Sequence, residues 1–137
     1  MALESRCFLF SLILLSLLCF VPNIACHSGD GWMALTPDEI KSKDMNALAN
    51  YTVIEHNKEK KRNLVFEKLC NGYKHVNVSG QMYNLFETAT DYDKCTTPMG
   101  SCDGDRRSYK AVVWVQDLKN RTTLLSFKKI NVTCNLK

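Results

Sequence analysis

The sequence predicts an α+β fold in which an antiparallel β-sheet wraps around one long α-helix, and two observations carry that expectation. Between Met45 and His56 the apolar residues recur at steps of three and four, the spacing of one helix face. From Leu64 onward they alternate with period two in four separate segments, the spacing of strands with one buried face. One helix followed by four strands forms an antiparallel meander that covers the helix stripe.

The elements follow in chain order. Thr36-Pro37-Asp38-Glu39 is a capping box with proline at the first helical position, so a short helical turn is expected there. An interruption near residues 42–44 and a long helix from Asp44 to Lys60 come next. On that helix Met45, Leu48, Ala49, Thr52, Val53 and His56 make the mostly apolar stripe, against polar Asn46, Asn50 and Glu55. The strand segments are Leu64 and Phe66 with Val65 and Leu69; Met82 and Phe86 with Tyr83, Leu85 and Ala89; Ala111, Val113 and Val115; and Leu125 with Phe127.

Ahead of the helix, Arg6 precedes an apolar run from Phe8 to Val21, then Pro22 and the small residues Ala25 and Cys26. This pattern reads as a secretory signal peptide over residues 1–26, with residues 27–137 as one domain. The run is too short to span a membrane. Secretion is expected, with sorting to a vacuole as the other destination. Cys70, Cys95, Cys102 and Cys134 then remain in the exported chain, and four cysteines allow three pairings. Cys95 with Cys102 is the most local pair, and Cys70 with Cys134 would be its complement. Asn50, Asn77, Asn120 and Asn131 each begin an Asn-x-Ser/Thr sequon and are candidate glycosylation sites. Asn50 falls on the polar helix face, Asn77 and Asn120 in two hairpin loops, and Asn131 near the end of the last strand.

The segment Leu48 to Asn57, reading LANYTVIEHN, resembles the helix signature of the plant cystatins (phytocystatins), Leu-Ala-Arg-Phe-Ala-Val-x-Glu-His-Asn. Leu48, Ala49, Val53, Glu55, His56 and Asn57 match, and Tyr51 stands for Phe. Leu64-Val65-Phe66, Gly80-x-Met82-Tyr83-x-Leu85 with Ala89-Thr90-Asp91, Tyr109-Lys110-Ala111-Val112-Val113-Trp114, and Leu125-Ser126-Phe127-Lys128 follow in the family's order. The resemblance spans roughly Gly31 to Lys129, a whole domain, and implies a cystatin-like α+β fold.

It also implies a function: inhibition of papain-like cysteine proteases by a wedge of three pieces, an N-terminal Gly-Gly segment, a first hairpin Gln-x-Val-x-Gly and a second hairpin Pro-Trp. Carried over by position, the protease-binding candidates are Gly31, after Asp30; Val76, Asn77, Val78, Ser79 and Gly80; and Asp117 with Leu118. Gly31, Val78 and Gly80 retain the family's residues, whereas Val76 replaces glutamine and Asp117-Leu118 replaces Pro-Trp. A sugar on Asn77 would stand on the hairpin that has to enter a narrow cleft. These departures imply weak or altered inhibition, and they support the alternative of a non-inhibitory secreted binding or signalling protein on the same fold.

Other chemistries find little in the chain. A formal net charge of +4 is modest, and nucleic-acid binding is not expected. The run Lys58-Glu59-Lys60-Lys61-Arg62 is read as a solvated helix end whose cations complement the helix dipole. Glu55 and His56 are adjacent on a helix and point apart, so they make no acid/base pair. No serine or cysteine nucleophile has an activating context, no CxxC occurs, and the histidines lack ligand spacing. Asp103-Gly104-Asp105 reads as a turn, and Gly29-Asp30-Gly31 as a flexible N-terminal arm. The expectation is a monomer that is no enzyme, needs no cofactor or metal, and has no membrane association once the signal is removed.

Overall fold

The structure, a computed structural model, describes residues 31–95 and 102–134. Residues 1–30, including the segment read as a signal peptide and Gly29-Asp30, the loop between Cys95 and Cys102, and residues 135–137 lie outside the described residues. Within them the order is β1 (Met33–Ala34), α1 (Pro37–Lys41), α2 (Lys43–Lys60), β2 (Leu64–Asn77), β3 (Gly80–Asp91), β4 (Asp105–Gln116), a 3-10 turn (Asp117–Lys119) and β5 (Arg121–Ile130). The strands form one sheet in the order β1-β2-β3-β4-β5, every neighbour antiparallel.

The capping box forms as the sequence implies: the Glu39 N–H donates to Thr36 Oγ1 at 3.2 Å, and the Thr36 N–H donates to Glu39 Oε2 at 2.9 Å. Ser42 alone makes the interruption. Its extended backbone ends α1 with an N–H donated to the Glu39 carbonyl, while its Oγ accepts from the Met45 N–H at 3.2 Å and starts α2. At the far end Lys61 turns left-handed with φ 53°, and the Arg62 N–H donates to the Asn57 carbonyl.

Ala49, Thr52 and Val53 are the buried residues of α2. Ala49, Ala89 and Ala111 expose nothing, and small side chains at these facing positions let the helix lie close on the sheet. Leu69, Leu85, Ala111 and Val113 pack with Ala49 and Leu35 in one cluster, and Val53, Leu64, Ala89 and Tyr109 form the next. Phe66 and Phe127 touch both.

The helix-face residues shared with the plant-cystatin signature have structural duties. Asn57 clamps the helix end to β2, donating from Nδ2 to the Leu64 carbonyl at 2.7 Å and accepting the Leu64 N–H at Oδ1. His56 stacks on Phe127 with centroids 4.3 Å apart, and burial holds its imidazole below the usual histidine range. The Tyr51 hydroxyl donates to the Thr122 carbonyl at 2.9 Å, tying α2 to β5.

Two expectations need correction. Leu125 and Phe127 do not share a face: the register jumps between Val112 and Val113, so Leu124 and Phe127 pack on the core and Leu125 points outward, 49% exposed. A bulge adds one residue and reverses the alternation that the period-two reading assumed. The chain from Gly31 onward is also no free arm. Met33 pairs with Lys74 and Ala34 with Tyr73, adding a strand too short to show periodicity.

Disulfides join Cys70 to Cys134 and Cys95 to Cys102, with Cα separations of 5.7 and 5.8 Å, within the span such a bond needs. The first ties the chain beyond β5 back to β2 across the sheet. We expect Leu85→Ala, at a fully buried position, to lower unfolding free energy by about 2–5 kcal/mol in urea titrations, and Leu125→Ala by less than about 1 kcal/mol.

Candidate functional site

Strand lengths and register bring the candidate residues to one end of the sheet. β2 and β3 are joined through Val78 and Ser79, with Asn77 paired to Gly80, which is a two-residue hairpin. Asn77 Oδ1 accepts both the Ser79 N–H at 2.9 Å and the Ser79 hydroxyl at 2.7 Å, so the sequon's own side chains brace the turn. Val78 at its tip is fully exposed, and Val76 beside it is 54% exposed. The hairpin thus presents two aliphatic side chains to water.

Gly80 is fixed by geometry. Its φ is +145°, and a Cβ placed there would lie 2.2 Å from the Val115 carbonyl oxygen. That close approach sets the first hairpin against the end of β4, where the second begins. Asp117 to Lys119 make the 3-10 turn, closed by Asn120 in a left-handed conformation with φ 45° and its N–H donated to the Asp117 carbonyl. Leu118 projects from this turn almost wholly exposed.

A chain of polar contacts links the two hairpins. The Tyr83 hydroxyl donates to Gln81 Oε1 at 2.6 Å, and Gln81 Nε2 donates to Asp117 Oδ2 at 3.4 Å. Burial pushes the Tyr83 phenol up, so it keeps its proton and remains a donor. Between the hairpins lies an open cleft of about 320 Å³, lined by Val76 to Gln81 and by Asp117 and Leu118.

The third piece arrives along β1. Because Met33 pairs with Lys74, the preceding Trp32 and Gly31 reach the His75 end of β2. Trp32 lies against His75 with ring centroids 5.6 Å apart, and Gly31, at φ +66°, sits so close to that imidazole that a Cβ would meet it at 2.6 Å. The Lys74 ammonium holds the Glu39 carboxylate of α1 and fixes the same stretch of β2. The Glu39 carboxyl is correspondingly held below the ordinary carboxylate range.

All eight candidates, Gly31, Val76 to Gly80, Asp117 and Leu118, therefore stand at one end of the sheet. Trp32, His75, Gln81 and Tyr83 belong to the same edge and were not singled out from sequence; the adjacency of Trp32 to Gly31 and of Gln81 to Gly80 was the available signal. Of the other sequons, Asn120 closes the second turn, while Asn50 and Asn131 are exposed away from this edge, on α2 and just beyond β5. The described residues contain no group of three or more histidine, cysteine, aspartate or glutamate side chains placed to hold a metal.

Residues 38–130 match the family described as SQAPI, aspartic acid proteinase inhibitor. Cysteine proteinase inhibitor A of Helianthus annuus is 32% identical over 90 residues, covering 66% of this chain and 95% of that protein. Cysteine proteinase inhibitor 1 of Actinidia chinensis var. chinensis is 30% identical over 100 residues, covering 73% and 74% respectively. Among solved structures, a salivary cystatin from the soft tick Ornithodoros moubata superposes with a TM-score of 0.56 at 14% identity, over 74% of this chain and 97% of that one, a likeness of fold.

The steric constraint at Gly80 gives a direct test: Gly80→Ala should lower stability by about 1–3 kcal/mol or more, read as a depressed melting temperature, because the left-handed strain and the Val115 collision add.

Proposed function

We propose that this chain, which belongs to the plant cystatin-like family, is a secreted proteinase inhibitor that occludes the active-site cleft of papain-like cysteine proteases with a three-piece wedge. The observation that carries the reading is the meeting of Gly31, the Val76–Gly80 hairpin and the Asp117–Leu118 turn at one end of the sheet. Val76, Val78 and Leu118 would supply the apolar contact that desolvates the cleft, with the side chain of Trp32 available beside them. Glycine at 31 lets the backbone approach closely. No scissile peptide is offered end-on, because each loop turns back into a strand.

Export is proposed on the N-terminal apolar run and on the two disulfides, which suit an oxidising compartment. The chain is proposed to act as a monomer and to be glycosylated at its sequons. At Asn77 the Oδ1 is occupied by Ser79 and the residue is exposed, so a sugar on Nδ2 would project from the wedge tip. Attachment there would weaken entry into a narrow cleft.

A second reading concerns the protease class. The matching family is described by aspartic acid proteinase inhibition, and the second turn carries Asp117-Leu118 where the cysteine-protease wedge has Pro-Trp. An aspartic proteinase target is favoured by that substitution together with the family match.

Titration of the secreted mature chain against a papain-like protease and a pepsin-like protease separates the possibilities. The wedge reading expects inhibition of the cysteine protease, tightened at least about tenfold by Asn77→Gln, and weakened by Val78→Asp at a cost of about 2 kcal/mol or more. Inhibition of the pepsin-like enzyme alone would transfer the same edge to the other class. Silence toward both at micromolar concentration would leave a non-inhibitory binding protein on this scaffold.

A further inference from the structure

The core of this protein holds one acid that the contact edge does not use. Glu87 of β3 faces the helix and is 1% exposed, with Leu69 of β2 and Tyr109 of β4 as its paired neighbours. Its Oε1 lies 2.7 Å from Thr52 Oγ1, and Thr52 Oγ1 lies 2.7 Å from the Ala49 carbonyl oxygen. Glu87 Oε2 has no hydrogen-bond partner among the described residues.

Proton counting decides what this cluster is. The threonine hydroxyl carries one hydrogen, yet it sits at hydrogen-bond distance from two oxygens. The Ala49 carbonyl has no hydrogen to give. Two separate hydrogen bonds at these distances, rather than one threonine proton shared between both oxygens, require a carboxyl proton on Glu87.

The surroundings agree. From α2 the residues that face Glu87 are Thr52 and its apolar neighbours; β2 contributes Leu69, and β4 contributes Tyr109, whose phenol burial pushes up and keeps neutral. On β5, Phe127 stacks on Tyr109 and on His56, an imidazole whose charged form burial also disfavours. Glu87 makes no ion pair among the described residues. A carboxylate here would be a buried charge with one polar partner and no counter-ion.

The geometry points to Glu87 as a proton-dependent latch: a neutral carboxylic acid whose O–H donates to Thr52 Oγ1, which donates in turn to the Ala49 carbonyl, fastening α2 to the sheet while the proton is held. Burial pushes the carboxyl up to about 8. The folded chain thus binds this proton more tightly than the unfolded one. Its stabilising effect is complete below the unfolded carboxyl value and is lost as pH rises through the folded one, between about pH 5 and pH 8. In that window the folded-to-unfolded ratio drops roughly tenfold per pH unit on account of this group. Such a bias suits an inhibitor that meets its protease in an acidic compartment; that clause alone rests on the proposed function.

Unfolding of the full mature chain, followed between about pH 5 and pH 8 for wild type and Glu87→Gln, tests the latch. The amide of glutamine donates to Thr52 in place of the acid and does not titrate. Relative to the variant, the wild type should lose about 100-fold or more in folded-to-unfolded ratio across the window. Parallel profiles would overturn the proposal. Should the variant not fold, the 13C carboxyl resonance of Glu87 in the wild type gives the answer: a midpoint above about 6.5 supports the latch, and one near the ordinary glutamate value overturns it. No protease enters either measurement, so a failure here is distinct from a failure of inhibition.

Discussion

The close seating of α2 on the sheet is the constraint on which the rest of this molecule depends. Ala49, Thr52 and Val53 press on Leu85, Glu87, Ala89, Ala111 and Val113, and these positions are almost without exposed surface. At such distances a larger residue at Ala49 or Ala89 has nowhere to go, and a smaller one at Val53 or Leu85 leaves a void. Bulges near Glu67, Cys70 and Leu125 interrupt the register of the long strands, where extra residues let strands bend. Tyr51 at the middle of the helix ties it to β5, and Asn57 near its C-terminal end ties it to β2.

The core and the candidate contact residues are thereby separated in space. The core lies under the helix, whereas the edge that carries Gly31, Val78, Gly80 and Leu118 is built from strand ends and turns. Turn residues braced by their own side chains, such as Asn77 on Ser79, can change without disturbing the core. This is why the chain can keep the helix face of a plant cystatin while Val76, Asp117 and Leu118 depart from the loop motifs that the resemblance implies. Two of the candidate positions are exceptions. Gly31 and Gly80 are held by close backbone or ring approach, so folding itself requires glycine there.

Much of the fold was legible because its determinants are local or periodic. The capping box at Thr36, the apolar stripe from Met45 to His56 and the alternation in β3 and β4 each specify their element without reference to distant residues. What escaped the sequence depends on register. Leu125 faces outward because β5 gains a residue against Val112 and Val113, and no periodicity announces that gain. Strand β1 is two residues long and exists only because β2 offers an edge. The site was legible only through resemblance: motif positions identified both hairpins, but Trp32, His75 and the Tyr83–Gln81–Asp117 chain required knowing which strands are neighbours. Glu87 was invisible for a different reason, since an acid in an alternating strand is ordinarily read as outward-facing.

The proposed function places protease contact on one end of the sheet, where three separate pieces of chain meet. Amide hydrogen exchange of the mature protein, free and in the presence of a papain-like protease, measures this most directly. New protection should be confined to Gly31–Trp32, Val76–Gly80 and Asp117–Leu118, with the helix unchanged. Protection centred on α2 or on the outer face of the sheet would contradict it.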